Sequence, residues 1–215
     1  MNIQTMVTMF RSEKSLEQNI NANNKFKKFL KKNFPDATIQ ESVGFWQDYD
    51  SSTPSLEPGF TISNINLEEL DKIREVVANT KLIGIKGHDQ HGFIEIINDK
   101  VNSYRLENNE FKLCNGEHQE DWGFDLEFKL DFNINQIATI KQNLEQKNIK
   151  RSFGGTILNN NVICLVNSED KEILESNLES EIEKPEIEKN VFLKELKSLK
   201  NSIYKIKHNE KQLTI

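Results

Sequence analysis

Two cysteines among 215 residues, Cys114 and Cys164, are too few for a disulfide framework. The second sits in the apolar run Val162, Ile163, Cys164, Leu165, Val166, where a reduced thiol packs as a small hydrophobe. No apolar run approaches the roughly 20 residues that a spanning helix needs. The opening Met1, Asn2, Ile3, Gln4 lacks the basic and apolar segments of a secretory signal. The expectation is a cytoplasmic protein without a membrane partner. Basic charge is also in short supply: the formal net charge of −6 disfavours nucleic acid, because sequence-independent binding to phosphates draws on clustered Lys and Arg.

Catalytic signatures are missing as well. There is no GxxxxGK[ST], HExxH, GxSxG elbow, CxxC pair or dinucleotide GxGxxG in a strand-to-helix setting. No cofactor and no metal is assigned, and a binding or interaction protein is expected ahead of an enzyme. What the chain does have is phenylalanine, thirteen against two tryptophans and three tyrosines. Phe, with Ile and Leu, must supply the buried area, each ring contributing on the order of 150–250 Å².

Leu16, Ile20, Phe26, Phe29 and Leu30 recur at helical spacing, predicting a first helix over 16–33 that ends at Phe34 and Pro35. Lys25, Lys27, Lys28, Lys31 and Lys32 crowd its outer face, most simply as a solvated surface that also suits the helix dipole. An extended stretch follows at 38–46, then a loop with Pro54 and Pro58, then a short strand around Phe60 and Ile62.

From there the pattern suggests a duplication. Asn66 can cap a helix with the apolar face Leu67, Leu70, Ile73, Val77, and Asn133 one with Ile134, Ile137, Ile140, Leu144, each pair 67 residues apart. The same offset carries Leu82 onto Ile149 and Gly87 onto Gly154, and two more residues bring 93–97 over 162–166. The fold class expected is α+β: two tandem strand-helix-strand-strand units forming mainly antiparallel sheet with helices on one face, plus a C-terminal amphipathic helix. Between the copies, 101–106 and 111–114 read as a hairpin turning at 107–109. The domains expected are an N-terminal α+β unit over 1–115, a second repeat unit over 116–180, and a charged linker with the final helix over 181–215.

After a helix at 169–179 built on Ile173, Leu174 and Leu178, Pro185 marks a change from acidic to basic chain. Beyond it Phe192, Leu196, Leu199, Ile203 and Ile206 fall at alternating spacings of four and three, on one seam. That seam must find an apolar surface, on its own domain, on a second copy or on another protein, so docking or self-association is assigned to this helix. Trp46 and Trp122 stand in aromatic, acidic segments and, where exposed, would anchor a partner or a planar ligand. The competing reading is a small-ligand or metal-dependent enzyme with His88, Asp89 and His91 as its catalytic cluster, completed by carboxylates near Asp121. Against it, the matching turn of the second copy, Phe153, Gly154, Gly155, Thr156, carries no histidine.

Overall fold

The computed structural model describes residues 1–51, 53–108, 110–114, 126, 128–178 and 191–212. It opens with a strand that sequence reading overlooks, β1 (Ile3–Thr8), whose alternate residues Ile3, Thr5 and Val7 are buried. Helix α1 (Leu16–Asn33) starts where expected: the Ser15 hydroxyl accepts from the Gln18 N–H, and the Gln18 side chain accepts from the Ser15 N–H in return. Strands β2 (Thr38–Gln47) and β3 (Ser55–Ser63) form a long antiparallel pair.

Pro58, expected in a loop, lies inside β3 opposite Val43. Pairing of β3 with β1 ends at Gly59 and Thr8, and the Pro58 carbonyl accepts instead from the Thr8 hydroxyl at 2.8 Å and the Asn23 amide at 2.6 Å. The N–H that proline lacks therefore costs no ladder bond.

Helix α2 (Leu67–Ala78) has the expected Asn66 cap, closed by Glu69. The strand expected around Leu82 is a 3-10 turn, Thr80–Ile83, with Leu82 exposed. Strands β4 (Gly92–Ile97), β5 (Lys100–Glu107) and β6 (Glu110–Leu113) follow, the last two as the expected hairpin. The chain continues through β7 (Phe128–Asn133), α3 (Ile134–Gln146), β8 (Phe153–Leu158), β9 (Asn161–Val166), α4 (Ser168–Leu178) and α5 (Val191–Gln212). Gly154, expected in a turn like Gly87, lies within β8.

The nine strands of the described residues join one antiparallel sheet in the order β6-β5-β4-β1-β3-β2-β8-β9-β7. Within it β3 lies between β1 and β2, and β9 lies between β7 and β8. The structure is thus a mixed α/β fold, with the five helices of the described residues packed on one sheet face. Under α1 and α2 lies a core of Ile3, Val7, Phe26, Leu30, Phe60, Ile62, Ile73 and Phe93. A second core under α3, α4 and α5 holds Phe45, Phe132, Ile140, Phe153, Val162 and Leu174. Each such side chain contributes roughly 1.5–3 kcal/mol of burial.

The opposite face, helix-free among the described residues, is concave. Ile96 and Val101 of β4 and β5 form one buried cluster with Ile163 and Leu165 of β9. In a flat sheet β4 and β9 would be five strand spacings, about 24 Å, apart, so the sheet must curl to bring them together. Gly155 permits close approach at the bend, since a Cβ there would overlap the Ile163 carbonyl. Among the described residues no helix is long and apolar enough to cross a membrane.

Candidate functional site

Beside the apolar cluster, the concave face holds two adjoining cavities. The smaller, about 260 Å³, is lined by Met6, Trp46, Ile94 and Leu165 together with Thr8, Ser42, Ser55 and Thr156. The larger, about 570 Å³, reaches Arg11, Glu13, His91, Ser103 and Arg105. Met6, Glu57, Ile94 and Leu126 line both, so the two form one trough with Glu57 at the junction. Its size is that of an ordinary small-molecule site.

The trough is built from α1 outward. Asn19 and Asn23 are buried, although they lie on the helix face of Phe26 and Leu30. Asn23 accepts from the Met9 N–H at 2.9 Å and donates to the Pro58 carbonyl. Asn19 holds the backbone of Arg11. Two asparagines thereby tie the segment after β1 to the part of β3 that carries Glu57, and place Arg11 and Glu57 on the same trough. Burial pushes the Glu57 carboxyl up from its ordinary range, while the Arg11 charge pulls it down less strongly. The two are too far apart for an ion pair, and neither side chain has a hydrogen-bond partner among the described residues.

Across the floor, Trp46 is half-buried, pairs with Gly154 on β8, and donates its indole N–H to Asp48 at 2.6 Å. A side chain at Gly154 would meet the indole ring, so glycine there lets the ring lie against the sheet. Gly44, facing Glu57 across the β2–β3 pair, leaves the trough open beside it.

The expected histidine cluster does not converge. His88 is buried, with Nδ1 3.0 Å from the Lys86 carbonyl, and its Nε2 has no partner among the described residues. Asp89 accepts from the Thr80 N–H at 2.7 Å and the Thr80 hydroxyl at 2.8 Å, which fixes the 3-10 turn rather than an imidazole. His91 is exposed and borders the larger cavity. No group of three or more His, Cys, Asp or Glu among the described residues is placed to hold a metal ion. Trp122, Asp121 and the acidic loop around them lie outside the described residues.

The seam of α5 faces its own chain. Phe192 and Leu196 are buried in the second core, Phe192 edge-on to Phe45 with ring centres 5.4 Å apart, and Leu199 packs against the same cluster. Ile203 borders a cavity of about 300 Å³ shared with Asn23 and Ile157, and Ile206 is half-buried.

Sequence reading missed Asn19, Asn23, Arg11 and Glu57. The available signal was two asparagines, four residues apart, interrupting an apolar helical stripe. Comparison with protein-family models, curated proteins and solved structures finds no match to this chain.

Proposed function

We propose that the protein is a non-enzymatic binding protein whose α+β body presents its recognition surface in the trough of the helix-free face. The observation that carries this reading is the pair of adjoining cavities that share Glu57, a desolvated carboxyl with no hydrogen-bond partner among the described residues. Desolvating a charge without compensation is costly, which suits a group that waits for a ligand. In this reading α5 docks on its own body and braces it, with Phe192 and Leu196 as anchors.

The test is a fragment screen followed by amide chemical shifts on the full chain, paired with a Gly44→Val variant. A Cβ at Gly44 meets only ordinary contacts, the nearest 3.6 Å away, and valine suits a strand, so the variant should stay folded with a filled trough. Binding that perturbs Met6, Ser55, Gly59 and Thr156 and disappears in Gly44→Val supports the proposal. Fragments that bind elsewhere, or bind the variant equally well, refute it.

We also infer that β1-α1-β2-β3 and β7-α3-β8-β9 are two copies of one strand-helix-strand-strand unit, so that the counterpart of the Asn133 helix is α1 rather than the Asn66 helix. Supporting this, the last strand of each inserts between the first two, and each helix begins with a capping box completed by glutamine, Gln18 and Gln136. The second strands, β2 and β8, pair antiparallel, as a half-turn between copies requires. An experimental structure in which the rotation relating the copies is far from a half-turn removes this inference.

A further inference from the structure

We propose that the trough takes a small zwitterion of the α-amino-acid type with an apolar side chain: its ammonium on Glu57, its carboxylate on Arg11, and its side chain in the smaller cavity. This rests on the reading of the trough as a binding site and names the ligand that its chemistry fits.

The argument is one of complementarity. Glu57 and Arg11 both line the trough, carry opposite charge, influence one another electrostatically and do not pair directly. Neither side chain has another partner among the described residues. A ligand bearing both charged groups on one carbon satisfies the two at once, whereas a simple cation or a simple anion leaves one of them unanswered. Beside this pair the smaller cavity offers Met6, Ile94, Leu165 and the Trp46 ring, which favour an apolar body. Its volume of about 260 Å³ accommodates a leucine- or phenylalanine-sized side chain. The hydroxyl groups of Ser42, Ser55 and Thr156 add hydrogen-bonding capacity along the same wall. Burial favours the neutral form of Glu57, and a bound ammonium shifts that balance back toward the carboxylate.

The experiment is calorimetric titration of the full chain with L-phenylalanine, with 2-phenylethylamine, which lacks the carboxylate, and with 3-phenylpropionate, which lacks the ammonium. Each is repeated on Glu57→Gln and Arg11→Met. The expected result is saturable binding of L-phenylalanine that weakens about 10- to 100-fold in either variant, the loss expected for one charge-assisted contact. Phenylethylamine should respond to Glu57→Gln alone, and phenylpropionate to Arg11→Met alone. Equal affinity for all three probes, or L-phenylalanine binding indifferent to both variants, overturns the proposal. If other fragments fill the trough while L-phenylalanine does not bind, this assignment fails and the binding-protein reading stands. If nothing binds there and Gly44→Val changes nothing, both fall.

Discussion

Asn19 grips the Arg11 backbone on both sides of its Cα: its Oδ1 accepts from the Arg11 N–H at 2.9 Å, and its Nδ2 donates to the Arg11 carbonyl at 3.0 Å. A fully buried side chain is thus committed to positioning a residue whose own side chain borders the trough. Replacing Asn19 by alanine leaves the Arg11 N–H without a protein partner and its carbonyl with the Lys14 N–H alone, at a cost of about 1–3 kcal/mol. Urea denaturation should show this loss, and hydrogen exchange at the Arg11 amide should accelerate more than exchange in β2 or β3. Unchanged protection at Arg11 would contradict the positioning role.

Glu57→Gln should stabilise the protein at neutral pH. The folded-state pKa is raised above the ordinary value of 4.5, so ionising this carboxyl is harder in the native state than in the unfolded one. The penalty is fully present above the folded pKa and vanishes below the unfolded pKa, and glutamine escapes it throughout. The melting temperature should rise at pH 7, by about 2–4 °C for each kcal/mol relieved in a chain of this size. That gain should shrink as pH falls toward 4. A variant less stable than the parent at pH 7 would show that Glu57 has a structural partner.

Glu95, buried between α2 and the sheet, is held by Arg74 at 2.6 Å, Asn102 at 3.1 Å and the Tyr104 hydroxyl at 2.5 Å. Burial and then the Glu95 contact push the Tyr104 phenol up to about 12. Its folded pKa exceeds the unfolded value of 10.0, so its contribution to stability is complete below pH 10 and is lost as pH rises through about 12. Ultraviolet titration should find one tyrosine ionising late, and Glu95→Gln should bring it earlier. Glu95→Ala should cost about 3 kcal/mol or more, since it leaves Arg74 facing a buried gap.

Phe192→Ala should cost about 3–5 kcal/mol, as for a ring removed from a packed core. Light scattering should give the same molar mass for variant and parent. A change in mass with little change in stability would return the α5 seam to self-association.

The parts of this molecule legible in its sequence are those decided locally. Asn66 and Asn133 announce their helices because a cap and the stripe behind it are neighbours along the chain. The role of β1 was hidden, because six residues gain their meaning from β3 and β4, more than fifty positions away. Gly154 and Gly155 read as a turn because glycine usually marks one. Here its absent side chain serves Trp46 and the β9 backbone, neither of them a chain neighbour. The trough was least legible, since Glu57 sits between Leu56 and Pro58 in what looked like a loop. Its environment is assembled by Asn23 and Arg11 from another element.

Joining β2 to β8 has a consequence for behaviour in crowded solution. Six strands ending at β2 and three beginning at β8 would, as separate sheets, offer four unsatisfied rims to passing chains, whereas fused they leave two among the described residues. Those two are strands β6 and β7, short and bearing charge, Glu110 and Lys112 on one and Lys129 and Asp131 on the other. Such borders repel a templating strand, so the fusion that shapes the trough also guards a Phe-rich protein against fibrillar stacking.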